Sequence, residues 1–226
     1  MIGRNARALS ASLVVWIVLA ACASAPQHKK TVNRQAEQYF RLGQVNFTEG
    51  KNQEAIANLK KSIQLDPGAA DAHSYLGTVY FLLSDYANAE KELLEAIKLN
   101  PYDTDAKNSL GAVYTKTRRP EKALAIFEEA LKDRTYPSPE KILYNLGTLH
   151  LEAKRYPQAE DAFRRAVAAN AAYAKGYYGL GLAFADTGRI EDARASFRKV
   201  ISLDPKSPEA IRAQEYLARQ AAPRKG

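Results

Sequence analysis

Apolar residues recur along this chain at a nearly constant interval, and this repeat is its most informative feature. A Leu-Gly pair marks each unit, with spacings of 34, 34, 36 and 34 residues. An alanine follows each glycine by 12 residues, and a large apolar residue follows the alanine by four. Spacings of three and four place side chains on one face of a helix, so each unit predicts two short amphipathic helices. The pairs are Leu42-Gly43, Leu76-Gly77, Leu110-Gly111, Leu146-Gly147 and Leu180-Gly181.

The residue types at these positions suit two helices in close contact. A glycine on the first helix and an alanine on the second permit a close approach, and the large apolar residue fills the remaining space. Asp66-Pro67, Asn100-Pro101 and Asp204-Pro205 are predicted to end three of the second helices, because the residue before proline is disfavoured in helical geometry. The alanines and large residues are Ala55, Leu59, Ala89, Leu93, Ala123, Phe127, Ala159, Phe163, Ala193 and Phe197.

One such unit cannot bury its apolar face alone, whereas five stacked units share a continuous core. We therefore predict an all-α fold of five helix-turn-helix units within residues 34–205. Residues 206–226 are predicted to form a capping helix and a frayed tail, because Gln214 and Glu215 stand where the next Leu-Gly would be. The predicted units are about 36–69, 70–103, 104–139, 140–173 and 174–207.

The amino terminus has the pattern of a secretion signal. Arg4 and Arg7 precede an uncharged apolar stretch, Leu13–Ala21. A membrane-spanning helix needs about 20 apolar residues, so residues 1–21 are predicted to be a cleaved signal peptide.

Leu19-Ala20-Ala21-Cys22 resembles a bacterial lipobox, and Cys22 is the only cysteine of the chain. We therefore predict that Cys22 is lipidated and anchors the protein to a membrane through acyl chains. Residues 22–33 then form a flexible tether, and Ala23 after the cysteine favours the outer membrane over the inner one. The alternative is ordinary cleavage after Ala25, which leaves a soluble periplasmic protein.

Composition excludes several functions. With 46% hydrophobic and 26% charged residues the chain is globular, and one Cys and three His leave too few ligands for a structural zinc site. The net charge of +8 is spread without a Lys/Arg run, which disfavours nucleic acid as a partner. We found no catalytic motif or phosphate-binding loop, and we interpret His73 and His150 as structural. The sequence therefore predicts a non-enzyme without metal, cofactor or small-molecule substrate.

The predicted function is to bind another protein. On each first helix, some positions point roughly 130° away from the second helix, and stacking turns them into the inner wall of a superhelix. Aromatic and aliphatic side chains with central amides suit a bound peptide or helix. The alternative is that several rings pack against the first helix of the next unit. The predicted groove comprises Phe40, Gln44, Phe47, Tyr75, Thr78, Phe81, Asn108, Tyr144, Asn145, Leu151, Tyr178 and Leu182.

The units resemble the tetratricopeptide repeat, which implies a right-handed superhelix. A Tyr-Pro insert in Asp133–Glu140 precedes Asn145-Leu146-Gly147. Together with the lipobox, this insert is similar to the type IV pilus biogenesis lipoproteins of the PilF, PilW and Tgl family. That resemblance implies an outer-membrane pilotin facing the periplasm of a Gram-negative bacterium. Such a protein binds secretin subunits or another pilus component and promotes secretin assembly. Family members often have six units, whereas this chain has five and a cap.

Two other functions stay open on the sequence. One is a general outer-membrane scaffold that recruits cell-wall or envelope-assembly proteins. The other is an accessory or regulatory domain of an enzyme.

Overall fold

A computed structural model describes residues 34–221, in which α-helices are joined by short turns and no strand occurs. The predicted signal peptide, the predicted lipidation site Cys22, the predicted tether and the last five residues lie outside this range. No helix within residues 34–221 combines the length and apolar character needed to span a bilayer.

Within residues 34–221 eleven helices follow one another, and they pack as five pairs with a closing helix. Each odd-numbered helix from α3 to α9 packs on the helix that follows it, and neighbouring odd-numbered helices from α3 to α11 also touch. This arrangement confirms the predicted tetratricopeptide superhelix. The helices are α1 (34–48), α2 (Asn52–Leu65), α3 (Ala70–Leu82), α4 (Tyr86–Leu99), α5 (Thr104–Lys116), α6 (Pro120–Ala130), α7 (Pro139–Glu152), α8 (Tyr156–Ala169), α9 (Ala174–Asp186), α10 (Ile190–Leu203) and α11 (Pro208–Ala221).

The repeated glycine contacts the repeated large apolar residue of the same unit. A Cβ added at Gly77 would lie 2.6 Å from Leu93 Cγ, and one at Gly43 would lie 2.7 Å from Leu59 Cγ. The glycines of the other three units face Phe127, Phe163 and Phe197 in the same way. Absence of a Cβ therefore sets how closely the two helices of each unit approach, as predicted.

The second helices end where the sequence predicted, at Leu65, Leu99 and Leu203. The turn between the paired helices holds a feature that the sequence did not reveal. Each unit places one turn residue in the left-handed region, with φ of 76° at Gly50 and 57° at Arg118. Only Gly50 and Gly188 are glycines among the five residues. The others are Ser84, Arg118 and Lys154.

The first unit exposes side chains that the inner units bury. Leu42 is 46% exposed, while its equivalent Leu76 is 1% exposed. Val45 is 49% exposed, and its equivalent Val79 is fully buried. Stacking on a preceding second helix, such as α2 on α3, accounts for the burial in the inner units.

The 36-residue step of the repeat changes the structure over more than its two extra residues. Helix α6 has 11 residues whereas α4 has 14, so α6 ends a turn earlier, at Ala130. Residues 131–138 then form turns instead of the last helical turn. Asp133 stabilises them, since its Oδ1 accepts hydrogen bonds from Thr135 N at 2.9 Å and Thr135 Oγ1 at 2.7 Å.

Candidate protein-binding groove

The first helices of units one to three form the inner wall of a groove. Side chains from α1, α3 and α5, from residues 100–103 before α5 and from residues 133–137 line this cavity of about 710 Å³, which we call the inner groove. Four of the predicted groove residues belong to its lining: Phe40, Gln44, Tyr75 and Thr78.

Three aromatic rings join the first two units, and two of them, Phe40 and Tyr75, line the inner groove. The ring of Tyr75 on α3 packs nearly perpendicular to the rings of Phe40 and Phe47 on α1, with centroids 6.0 and 6.3 Å away. These rings are half-buried, so each packs between units and also keeps an exposed edge. These rings therefore pack against the first helix of the neighbouring unit, which was the alternative to a role in binding. Such packing still leaves part of each ring accessible.

Polar side chains link the first helices across the middle of the stack. Thr78 Oγ1 lies 3.1 Å from Ser109 Oγ, and Asn145 Nδ2 donates to Asn108 Oδ1 at 2.9 Å. The two predicted asparagines thus bind each other, which fixes α5 against α7. This bond uses the Asn108 acceptor and leaves its Nδ2 donors for another hydrogen bond.

The Tyr-Pro insert forms one edge of the inner groove. The Tyr136 hydroxyl donates a hydrogen bond to Asp105 Oδ1, and Thr104 Oγ1 donates to Asp133 Oδ2 at 2.8 Å. Burial, followed by the hydrogen bond to Asp105, raises the pKa of Tyr136. Hydrogen bonds from Thr135 and Thr104 lower the pKa of Asp133. Two anchor points therefore fix the insert to the amino-terminal turn of α5.

The remaining predicted aromatic residues lie against second helices and outside the inner groove. Phe81 packs on Tyr86 with centroids 6.0 Å apart, Tyr144 on Phe163 at 5.8 Å and Tyr178 on Phe197 at 5.7 Å. Burial raises the pKa of Tyr144. Leu151 and Leu182 also pack on the core of the last units. All are half-buried, so their role in binding stays a prediction.

The two described histidines lie away from the inner groove. His73 is buried, and its Nδ1 lies 2.7 Å from Glu92 Oε2 on α4. Sequence reasoning missed this pair, because the two residues are 19 positions apart on different helices. Burial, and then Arg155, lower the pKa of His150. Within residues 34–221 no cluster of three or more His, Cys, Asp or Glu is arranged to hold a metal ion.

The repeats are tetratricopeptide repeats by sequence as well as by geometry. Sequence profiles described as tetratricopeptide repeat match residues 70–103, 102–172 and 144–208, and one described as TPR repeat matches residues 43–84. The chain is a tetratricopeptide-repeat protein, a class whose fold serves as a scaffold for protein interactions.

Within this class the chain is homologous to the type IV pilus assembly protein PilF of Pseudomonas aeruginosa. The two are 28% identical over 132 residues, which are 58% of this chain and 52% of PilF. The match thus spans about half the length of that relative.

Two solved structures share the fold. PilW, described as a widely conserved type IV pilus biogenesis factor, has a TM-score of 0.70 at 19% identity, covering 81% of this chain and 92% of PilW. The Pseudomonas aeruginosa pilF structure also has a TM-score of 0.70, at 20% identity, covering 84% of this chain and 94% of that one.

Proposed function

We propose that this chain is a lipid-anchored pilotin of the outer membrane, which binds secretin subunits or another pilus component and promotes secretin assembly. The similarity to PilF is the observation that carries this proposal. The inner groove supports it, because it gives the scaffold a surface on which a partner can lie.

The chemistry of the inner groove suits a peptide or helix. The half-buried rings of Phe40 and Tyr75 line this groove and provide apolar anchors at one end. The amide of Gln44 and the hydroxyl of Thr78 provide hydrogen bonds along the same wall.

The amino-terminal sequence supports the anchor. Acyl chains on Cys22 would keep the protein at the membrane, and more than one chain gives a stable attachment. A flexible tether of roughly 11 residues spans on the order of 20 Å, which lets the superhelix reach nearby subunits. Tethering raises the local concentration, so a modest groove affinity suffices to gather several clients.

Lipidation and groove binding are tested separately. Mass spectrometry of the mature amino terminus should find an acylated Cys22, and a Cys22→Ser variant should leave the membrane fraction. An unmodified chain starting at Pro26 would contradict the anchor and favour a soluble periplasmic protein.

The groove is tested with a variant that spares the core. Gln44→Arg places a bulky cation in the inner groove at a half-buried position. It should stay folded and reach the membrane, yet capture less secretin and support fewer detergent-resistant secretin multimers. Gln158→Arg, an exposed change on α8, is the matched control and should behave as wild type. Normal multimers with Gln44→Arg would contradict a role for the inner groove.

A general envelope scaffold is the competing function. It predicts that the protein captures cell-wall or envelope-assembly proteins from its own membranes instead of secretin. Capture of those proteins, with unchanged secretin multimers in a deletion strain, would decide for that alternative.

A further inference from the structure

The inner groove has a charge opposite to that of the whole chain. Its lining includes four aspartates and no lysine or arginine, although the chain carries a formal charge of +8. Four aromatic side chains lie among these aspartates, so the cavity combines apolar surface with negative charge. The aspartates are Asp71, Asp103, Asp105 and Asp133, and the aromatic residues are Phe40, Tyr75, Tyr102 and Tyr136.

Neutral donors hold three of these carboxylates in place. Asp103 caps α5 by accepting from Ala106 N at 2.8 Å, Asp105 accepts from the Tyr136 hydroxyl, and Asp133 accepts from Thr104 and Thr135. Within residues 34–221, none of the ion pairs within 4.0 Å involves any of the four aspartates. Their negative charge therefore stays available to a cation that enters the inner groove.

One position of the repeat carries a negative charge in units two and three and a positive charge in units four and five. Asp71 on α3 and Asp105 on α5 correspond to Lys141 on α7 and Lys175 on α9. Lys141 and Lys175 are exposed, and Lys175 lies 4.0 Å from Glu209. This repeat position is thus acidic in units two and three and basic in units four and five.

We propose that the inner groove takes a basic-aromatic segment of the partner, in which lysine or arginine alternates with aromatic or large aliphatic residues. The proposal rests on the proposed function of this groove as a peptide-binding surface. Cations of the segment lie beside the aspartates, which attract them electrostatically. The apolar side chains contact Phe40 and Tyr75. The end of the segment that points toward α7 and α9 carries acidic residues.

A random peptide library displayed on phage and selected against the mature chain tests this inference. Selected peptides should be enriched in lysine or arginine next to aromatic residues. Fluorescence anisotropy with one selected peptide then measures the contribution of Asp71, whose carboxylate is exposed. We expect Asp71→Asn to weaken binding about threefold and Asp71→Lys about tenfold at low salt, as for one screened charge. Asp161→Asn and Asp161→Lys, on the exposed face of α8, should leave binding unchanged.

The outcomes separate this inference from the proposed function. In one outcome the selected peptides lack an excess of lysine or arginine and bind in a way that is sensitive to changes at Gln44 but not at Asp71. That result would overturn the inference of a basic-aromatic segment and leave the groove as a binding surface. Selection of no peptide that is sensitive to Gln44→Arg would overturn the groove function, and this inference with it.

Discussion

Two leucines with the same place in the repeat should differ sharply in their contribution to stability. Leu76 is 1% exposed and lies between units, whereas Leu42 is 46% exposed at the open end of the stack. Substitution of each by alanine removes the same atoms, so the comparison isolates the effect of stacking.

The burial values set the expected magnitudes. Leucine-to-alanine changes in a packed core cost about 2 to 5 kcal/mol, from lost transfer energy and the cavity left behind. Leu76→Ala should fall in this range. Leu42→Ala removes a half-exposed side chain without leaving a closed cavity, so it should cost about 1 kcal/mol or less. Leu110→Ala, at 2% exposure, is a second buried comparison.

Guanidinium unfolding followed by far-UV circular dichroism measures these differences. Repeat arrays lose all-or-none cooperativity in some conditions, so midpoints are compared along with fitted free energies of unfolding. Equal losses for Leu42→Ala and Leu76→Ala would refute the reasoning, because both side chains would then be buried in solution. Leu110→Ala close to wild type would refute it as well.

Three further predictions concern backbone strain, helix contact and acid stability. Lys154→Gly should stabilise the protein by about 0.5 to 1 kcal/mol, because the residue sits at φ 56°, and Gly50→Ala at φ 76° should destabilise it by a similar amount in the same unfolding assay. Gly111→Ala should lower the melting temperature by several degrees, since its Cβ would meet a phenylalanine ring of the paired helix, and an unchanged value would contradict that contact. Burial, and then Arg155, lower the pKa of His150 in the folded chain. As the pH falls below about 6.5, the unfolded chain therefore binds a proton at this residue more readily than the folded chain does. Stability should therefore decrease over that range and decrease less in His150→Gln, and identical pH profiles for the two chains would contradict this assignment.

Sequence reasoning predicted the features that depend on residue type at fixed spacing. The repeat alone predicted the contact between Gly77 and Leu93, because a glycine leaves space that a large side chain on the paired helix can fill. The ends of two helices at Leu65 and Leu203 could be predicted from the Asp-Pro pairs that follow them, because a proline restricts only the residue just before it.

Features that depend on contacts between units were not predictable in this way. Asp133, just beyond the shortened α6, accepts a hydrogen bond from Thr104, which lies 29 residues away, and no local pattern indicates this contact. The His73–Glu92 pair joins two helices, and no local pattern marks it. The division of the predicted aromatic residues between the inner groove and the core depends on side-chain directions, which periodicity gives only approximately.

The most direct test of the proposed function measures secretin multimers in the outer membrane. We predict that a strain lacking this protein has few detergent-resistant secretin multimers in its outer-membrane fraction, along with few surface pili. Wild-type protein should restore them there, whereas Cys22→Ser should bind secretin and leave it in the wrong membrane. Normal multimers and pili in the strain that lacks the whole protein would contradict the pilotin function.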